Sequence, residues 1–439
     1  MSGMELAFVN RTRELADLDE FARHGGLLVV FGRRRVGKTR LLTRWLKARR
    51  GLYSQAIEAN REQQLQQIAE DLRVAWGTAL VPRTWPEFFE LLDLQKVTAP
   101  LCLDEFPYLV AADASLPSVL QRWLDHRPRK TAALVVSGSS TRMMNDLFLN
   151  RAAPLFGRAF KLMRIEPMGY RAFCQACRRN PVRRDAFTQF ALVGGVPRYW
   201  EFVRPGQSSV QLAEELFFGT APLLEFEPAR LLKDEGVTGL SASAMLEAIG
   251  RGAEKPSEIA ARLGTPQTSL SRLFQVLLDA AILERQLPFG ESVRSTRRTL
   301  YRITDPTLRF WFRVYSPHRS RWGTYTMAER EKLLDDHASV VFEDSVRALF
   351  SGAGRYWDAS VELDLVRPLP GGEVAISEVK WASLSKAARA ATLARLEERY
   401  RRSALAQRYP KASFEVIDQS FLSRLGRRAS SVSLLAKGL

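Results

Sequence analysis

The sequence predicts an α/β protein built on a parallel sheet, and three observations predict it. Short apolar runs end in polar residues that carry chemistry: "GLLVV" before Gly32, "APLCLDE" ending in Asp104-Glu105, and "KTAALVVSGSS" at 130–140. Helical stretches separate the runs, so the strands need crossovers and lie parallel. Their polar ends then gather at one edge of the sheet, where such folds bind ligands. The chain has 439 residues, too many for one core, so several domains are expected.

Composition bounds the rest. Hydrophobic content of 46% and charged content of 26% fit a globular protein. No apolar run is long enough to cross a membrane, and "MSGMELAFVNRTREL" does not read as a signal peptide. A cytoplasmic protein with no membrane partner is the expectation. The formal net charge is +17, carried mostly by arginine. Such charge fits a polyanion partner such as nucleic acid, or charge scattered over the surface. The cysteines are Cys102, Cys174 and Cys177. "CQAC" at 174–177 lacks the two further ligands a tetrahedral zinc site needs, and two thiols tucked on a helix are expected.

The first strand leads into "GRRRVGKT", which fits G-x-x-x-x-G-K-[ST] at Gly32, Gly37, Lys38 and Thr39. Glycines let this loop curl so that backbone N–H groups point inward at phosphate oxygens. Lys38 is placed to reach the β- and γ-phosphates of ATP, and Thr39 to ligate Mg2+. The helix after it turns its positive dipole end to the same phosphates. The ATP-contacting run is thus Gly32, Val36, Gly37, Lys38, Thr39 and Arg40. The second strand supplies the acids of a Walker B pair. Asp104 would hold Mg2+ through water, and Glu105 would polarise the attacking water.

The ordered set "FVNRTREL" (8–15), "LDEFPYL", "SGSS", "PLFGR" (154–158) and "LVGGVPRYW" (192–200) resembles the archaeal-type and STAND-like AAA+ ATPases. The resemblance covers roughly residues 8–425. It implies an AAA+ core over 1–160, a helical lid over 161–236, a winged helix-turn-helix over 237–315, and a C-terminal domain over 330–425. That last domain is of a kind once labelled as unknown function and related to PD-(D/E)xK nucleases, with a restriction-endonuclease-like α/β fold. By the same resemblance Asn10 and Arg11 would border the adenine, and Pro197 would sit against the nucleotide in the lid. Arg158 would be a phosphate-sensing or finger arginine. A polar side chain closing the third strand would sense the γ-phosphate, and Ser137 and Ser139 both qualify.

Residues 159–235 read as helices with breaks, which suits a lid. From 239 the pattern becomes short amphipathic helices with tight joints. "KPSEIAARLG" reads as a helix from Pro256 to a stop at Gly264. "TPQTSLSRLFQVLLDAAIL" has Thr265 as an N-cap candidate and apolar residues at 270, 273, 274, 277 and 278. That spacing leaves Gln267, Thr268, Ser271 and Arg272 outward, where base edges of DNA would be met. A hairpin over 283–305 follows, its wing carrying Arg294, Arg297 and Arg298 for phosphate contact. The alternative use of such a domain is internal regulation. Phe310, Trp311 and Phe312 are expected as core anchors rather than as base-stacking residues.

The last third alternates helix, hairpin and helix. "HASVVFEDSVRALF" is a helix carrying Glu343, "RYWDASVELDLVRPL" alternates as a strand carrying Asp364, and "EVAISEVKWA" is a strand carrying Glu378 and Lys380. Asp364 and Glu378 on paired strands would converge on Mg2+, with Glu343 as a further ligand. Lys380, two residues from Glu378, shares its face and would stabilise developing phosphate charge. The alternative is an inert domain with charged strand edges. The sequence therefore yields two functional expectations. One is an ATP-hydrolysing enzyme acting on DNA. The other is an ATP-switched signalling or scaffold protein, with a protein partner or a homo-oligomer.

Overall fold

The computed structural model describes residues 6–77, 81–94, 97–126, 133–237 and 239–427. The start of the run predicted at 130–140 lies outside the described residues. The chain packs as two compact units. One is Asn10–Glu166 with Lys233–Gly236; the other takes Pro167–Leu232, the chain from Val237 onward and the residues before Asn10.

The first unit is a five-stranded sheet flanked by helices. Its strands are β1 (Gly26–Phe31), β2 (Leu52–Gln55), β3 (Leu101–Asp104), β4 (Ala133–Gly138) and β5 (Lys161–Arg164), in the order β2-β3-β4-β1-β5. Every pairing is parallel. β1 and β4 are buried along their whole length, as their unbroken aliphatic runs require. Leu27, Val29, Leu101, Leu103, Leu134 and Val136 join Trp85, Phe88, Phe106 and Phe148 in one apolar core. Two strands escape the sequence reading. β2 and β5 are four residues each and mix polar with apolar side chains. β5 falls in the stretch read as helical from 159, and its edge position explains its weak apolar signal.

In the second unit, three helices precede a small antiparallel ribbon. The helices are Leu240–Gly250, Pro256–Leu263 and Ser271–Asp279; the ribbon is β6 (Leu283–Gln286) and β7 (Leu300–Ile303). The helix from Pro256 ends at Gly264, which adopts φ 61. Thr265 does not cap the next helix. Pro266 fixes the entry instead, and Gln267–Leu270 winds as a 3-10 turn before Ser271. Leu270, Phe274 and Leu277 bury one face, as the spacing required. Phe310 and Phe312 are buried anchors in this unit, and Trp311 donates its indole N–H to the Glu225 carbonyl at 2.8 Å.

A four-stranded mixed sheet closes the chain: β8 (Gly354–Trp357), β9 (Glu362–Pro368), β10 (Val374–Val379) and β11 (Ala412–Ile417), in the order β11-β10-β9-β8. β9 is antiparallel to β8 and β10, while β10 and β11 run parallel. The run read as one strand from Arg355 breaks into β8 and β9 because Asp358 turns the chain. Its Oδ1 accepts the backbone N–H groups of Ser360 at 2.8 Å and Val361 at 3.0 Å. The helix Lys386–Arg402 packs on this sheet, and Phe342 and Val346 of the helix Met327–Arg347 share an apolar cluster with Leu365 and Val379.

Candidate nucleotide site

The site grows from the end of β1. Gly32 has φ 148, and a Cβ there would lie 2.5 Å from the carbonyl oxygen of Ile165, so only glycine fits. Gly37, at φ 95, launches the helix Lys38–Lys47. Leu41, Leu42, Trp45 and Leu46 bury one face of that helix and fix its direction, so its N-terminus faces the loop. Arg11 braces the loop from behind. Its guanidinium donates to the carbonyls of Val36 at 3.0 Å and Glu166 at 2.8 Å and pairs with Glu14 at 2.7 Å. Arg11 is thus buried and bound to backbone, and Asn10 beside it starts this unit at φ 59.

Strand order brings the acids and the lysine together. β4 lies between β1 and β3, so the residue leaving β4 sits between Lys38 and the β3 acids. That residue is Ser139. Lys38 Nζ donates to its Oγ at 3.0 Å, and also to the carbonyls of Gly32 at 2.8 Å and Arg33 at 3.2 Å. Ser139 in turn donates its hydroxyl to Glu105 at 2.5 Å and its N–H at 3.2 Å. Ser137, the other sensor candidate, is fully buried inside β4. Thr39 donates to Asp104 Oδ2 at 3.0 Å, and Tyr53 donates to the same oxygen at 2.5 Å. Asp104 Oδ1 accepts the N–H of Glu105 at 2.9 Å. Glu105 itself is held at φ 53, a conformation costly for a side-chain-bearing residue and found where function demands it. Burial lowers the Lys38 pKa, while Glu105, Asp104 and Glu235 act to keep it charged.

This arrangement of curled loop, lysine, hydroxyl and paired strand-end acids is what a nucleoside triphosphate site requires. Residues 8–201 match the family described as an ATPase domain predominantly from Archaea. Residues 8–201 are thus similar to archaeal-type P-loop ATPase domains. Residues 311–392 match a second family, archaeal and bacterial proteins of unknown function. An uncharacterized protein of Methanocaldococcus jannaschii is 26% identical over 396 residues, spanning 86% of this chain and 88% of that one. The Walker-type ATPase of Pyrococcus abyssi aligns with a TM-score of 0.53 at 17% identity, covering 70% of this chain and 96% of that chain. The ORC2 protein of Aeropyrum pernix, solved as ADPNP–ADP complexes, aligns at 0.43 and 12% identity over 76% and 95%. At such identity the Pyrococcus likeness speaks for the fold.

Within the ATPase domain, Arg158 stands apart from the cluster. Its guanidinium makes a two-pronged pair with Asp125 at 2.9 and 3.0 Å and donates to the Pro154 carbonyl at 2.9 Å. Arg40 lies exposed in the first turn of the loop helix. Pro197 opens the short helix Pro197–Trp200 of the second unit. Three residues that sequence reasoning missed belong to this unit's site. Tyr53 holds Asp104. Asp234 and Glu235, far along the chain, bind the loop's Arg34 and the turn after β4. Their signal in the sequence is an acid pair, "KDEG", closing an amphipathic helix.

The other predicted residues group as follows. Gln267, Thr268, Ser271 and Arg272 are all exposed, as are Arg294, Arg297 and Arg298. Arg298, however, is tied down: it donates to the Trp357 carbonyl of β8 at 3.1 Å and pairs with Glu291. The loop between β6 and β7 is docked on the C-terminal sheet. Phe289 N–H donates to the Arg355 carbonyl at 2.7 Å, and Arg408 donates to the Gly290 carbonyl at 2.9 Å.

Glu343, Asp364, Glu378 and Lys380 do come together. Burial and the nearby charges of Asp364 and Asp344 push Glu343 up to about 7. Burial and Glu378 likewise raise Asp364. Yet Glu378 is spoken for. One oxygen pairs with Lys380 at 2.7 Å and the other with Arg399. Asp364 Oδ2 accepts the N–H of Val379 at 2.9 Å. Among the described residues, no group of three or more His, Cys, Asp or Glu is arranged to hold a metal ion. The expected convergence of these acids on Mg2+ is thus replaced by ion pairs: Lys380 and Arg399 occupy the two oxygens of Glu378. Cys174 and Cys177 are buried, and burial pushes both thiols up to about 12, which suits packing rather than metal or redox chemistry.

Proposed function

We propose that this protein is a Mg2+-dependent ATPase that works as a nucleotide-driven, DNA-binding switch. The observation that carries the reading is the hydrogen-bonded chain Lys38–Ser139–Glu105 beside the Thr39–Asp104 pair. It joins a phosphate-binding cation to a base through the residue that closes the strand between them. Hard oxygen donors from Thr39 and Asp104, 3.0 Å apart, fit Mg2+. The bound ion would neutralise charge on the β- and γ-oxygens.

The chain's own residues do the rest. Lys38 is parked on the carbonyls of Gly32 and Arg33. A triphosphate offers it stronger acceptors, so Lys38 turns to the β- and γ-oxygens. Ser139 then turns its hydroxyl from Glu105 to the γ-phosphate, while its backbone N–H keeps its hold on Glu105 and one carboxylate oxygen is freed. Glu105 orients a water in line with the γ-phosphorus and accepts its proton. Tyr53 and Thr39 keep the Asp104 carboxylate aimed.

The three helices and ribbon of Leu240–Ile303 have the order of a winged helix-turn-helix. Gln267, Thr268, Ser271 and Arg272 form its solvent face, and Arg294 and Arg297 supply phosphate contacts. Arg298 serves the docking of the wing instead. The salt bridges on Glu378 favour a C-terminal domain that does not cut DNA.

Filter binding of duplex DNA across a salt series tests the partner. Retention should fall steeply as salt rises. Arg272→Ala, Arg294→Ala and Arg297→Ala should each weaken binding and flatten the salt slope by about 1 for each phosphate left unneutralised. Absent or salt-independent retention overturns the DNA-binding half of the reading, and cleaved products on a gel overturn the non-cutting half.

A further inference from the structure

The helix end and turn Lys233–Gly236 packs with the ATPase unit, although the chain on both sides of it, through Leu232 and from Val237, belongs to the other unit. Its two acids take up positive groups at the nucleotide site. Asp234 holds Arg34, an exposed arginine of the phosphate loop: Nη1 lies 2.9 Å from Oδ1 and 3.0 Å from Oδ2. Glu235 is only 2% exposed. It lies across the first turn of the helix Thr141–Phe148. One oxygen accepts the Ser140 hydroxyl at 3.1 Å and the Arg142 N–H at 3.3 Å, and the other accepts the Thr141 N–H at 3.2 Å. That turn begins one residue beyond Ser139. Lys38 is close enough for the two opposite charges to stabilise each other.

Packing does not explain these bonds. Arg34 is exposed, so its pair with Asp234 adds little to stability. Glu235 is a buried carboxylate whose pKa burial raises, a cost offset by its three donors and by the charge of Lys38. The segment thus adds two further negative charges to a site that already holds Asp104 and Glu105 beside its phosphate-binding loop.

We propose that Asp234 and Glu235 form a counter-anion latch that nucleotide phosphates displace. With the latch closed, Asp234 occupies Arg34, and Glu235 adds its charge to those of Glu105 and Asp104 in balancing Lys38. An incoming triphosphate competes for the same two cations. Arg34 leaves Asp234, the segment loses its anchor, and the nucleotide state is passed along the backbone to the chain that resumes at Val237. The latch rests on the reading of the Lys38 loop as an ATP site. By reciprocity, what the phosphates lose in displacing the segment the segment loses in the presence of phosphates.

Two measurements on the full chain test it. Calorimetric titration with Mg-ATP should give a tighter Kd than for wild type, by about 2- to 5-fold for Asp234→Asn, whose pair is exposed, and by roughly 5-fold or more for Glu235→Gln. Hydrogen exchange of wild type should quicken at 233–236 when Mg-ATP is added. Unchanged or weaker affinity in Asp234→Asn, or unchanged exchange, overturns the latch. Asp234 is a partly exposed residue, so that variant keeps the test decisive even if Glu235→Gln folds poorly. Failure of wild type to bind Mg-ATP is a different result: it overturns the ATP-site reading itself, and the latch with it.

Discussion

At the scale of single residues, Glu105 carries the most chemistry for its size. Its backbone is held at φ 53 and its carboxylate is gripped by Ser139 through both hydroxyl and N–H. A residue held that firmly in an unfavourable conformation is being aimed. Glu105→Gln keeps the size and can still accept the Ser139 N–H through its one carbonyl oxygen, but it cannot take a proton from water. It should lower ATP turnover by about 10²- to 10⁴-fold, the usual worth of a positioned base, while Mg-ATP binding stays within a few-fold. Turnover by coupled phosphate release, with binding measured in parallel, checks both parts; full activity in the variant removes Glu105 from the base role. Lys38 and Thr39 were marked by motif spacing, Asp104 and Glu105 by an apolar strand ending in an acid pair, and the structure gathers the four into one bonded cluster. Tyr53 was not, because a tyrosine in a short strand has no pattern of its own. Asp234 and Glu235 were not, because their partners lie about two hundred and about one hundred residues away in sequence.

Elements show the same division. The long aliphatic strands β1 and β4 were plain in the sequence, as was the Asp104-Glu105 strand end. β2 and β5 were hidden, being four residues long and half polar. The β8–β9 break was hidden because Asp358 turns the chain without a glycine or proline to mark it. Where elements join in the second unit, charge does the joining. Asp344, on the helix Met327–Arg347, receives Arg302 from β7 at 3.0 Å, Arg309 from the helix Pro306–Phe310 at 2.6 Å, and Arg347 from its own helix at 2.9 Å. Burial works to raise the Asp344 pKa, and the three arginines overcome it and hold the group far below the usual carboxylate range. Asp344→Asn leaves buried arginines short of their shared counter-charge. Removing one partner of a buried pair costs about 3–5 kcal/mol, so the urea midpoint of this unit should fall clearly. An unchanged midpoint would mean that the helix-turn-helix segment and the C-terminal sheet are not held by this hub.

For the molecule as a whole, the chain's order sets its logic. The candidate nucleotide loop at the end of β1 comes first, three helices and a ribbon with a solvent-facing side later, and a sheet whose Glu378 is paired with Lys380 and Arg399 last. The wing is bonded to that sheet through Phe289, Gly290 and Arg298. All of this depends on the loop at Gly32–Thr39 holding a triphosphate through Lys38. The most direct measurement is calorimetric titration of Mg-ATP into wild type and Lys38→Ala, both shown folded by circular dichroism. One site per chain is expected in wild type, and no measurable uptake in the variant. No uptake by folded wild type, or equal uptake by both proteins, would contradict the central claim.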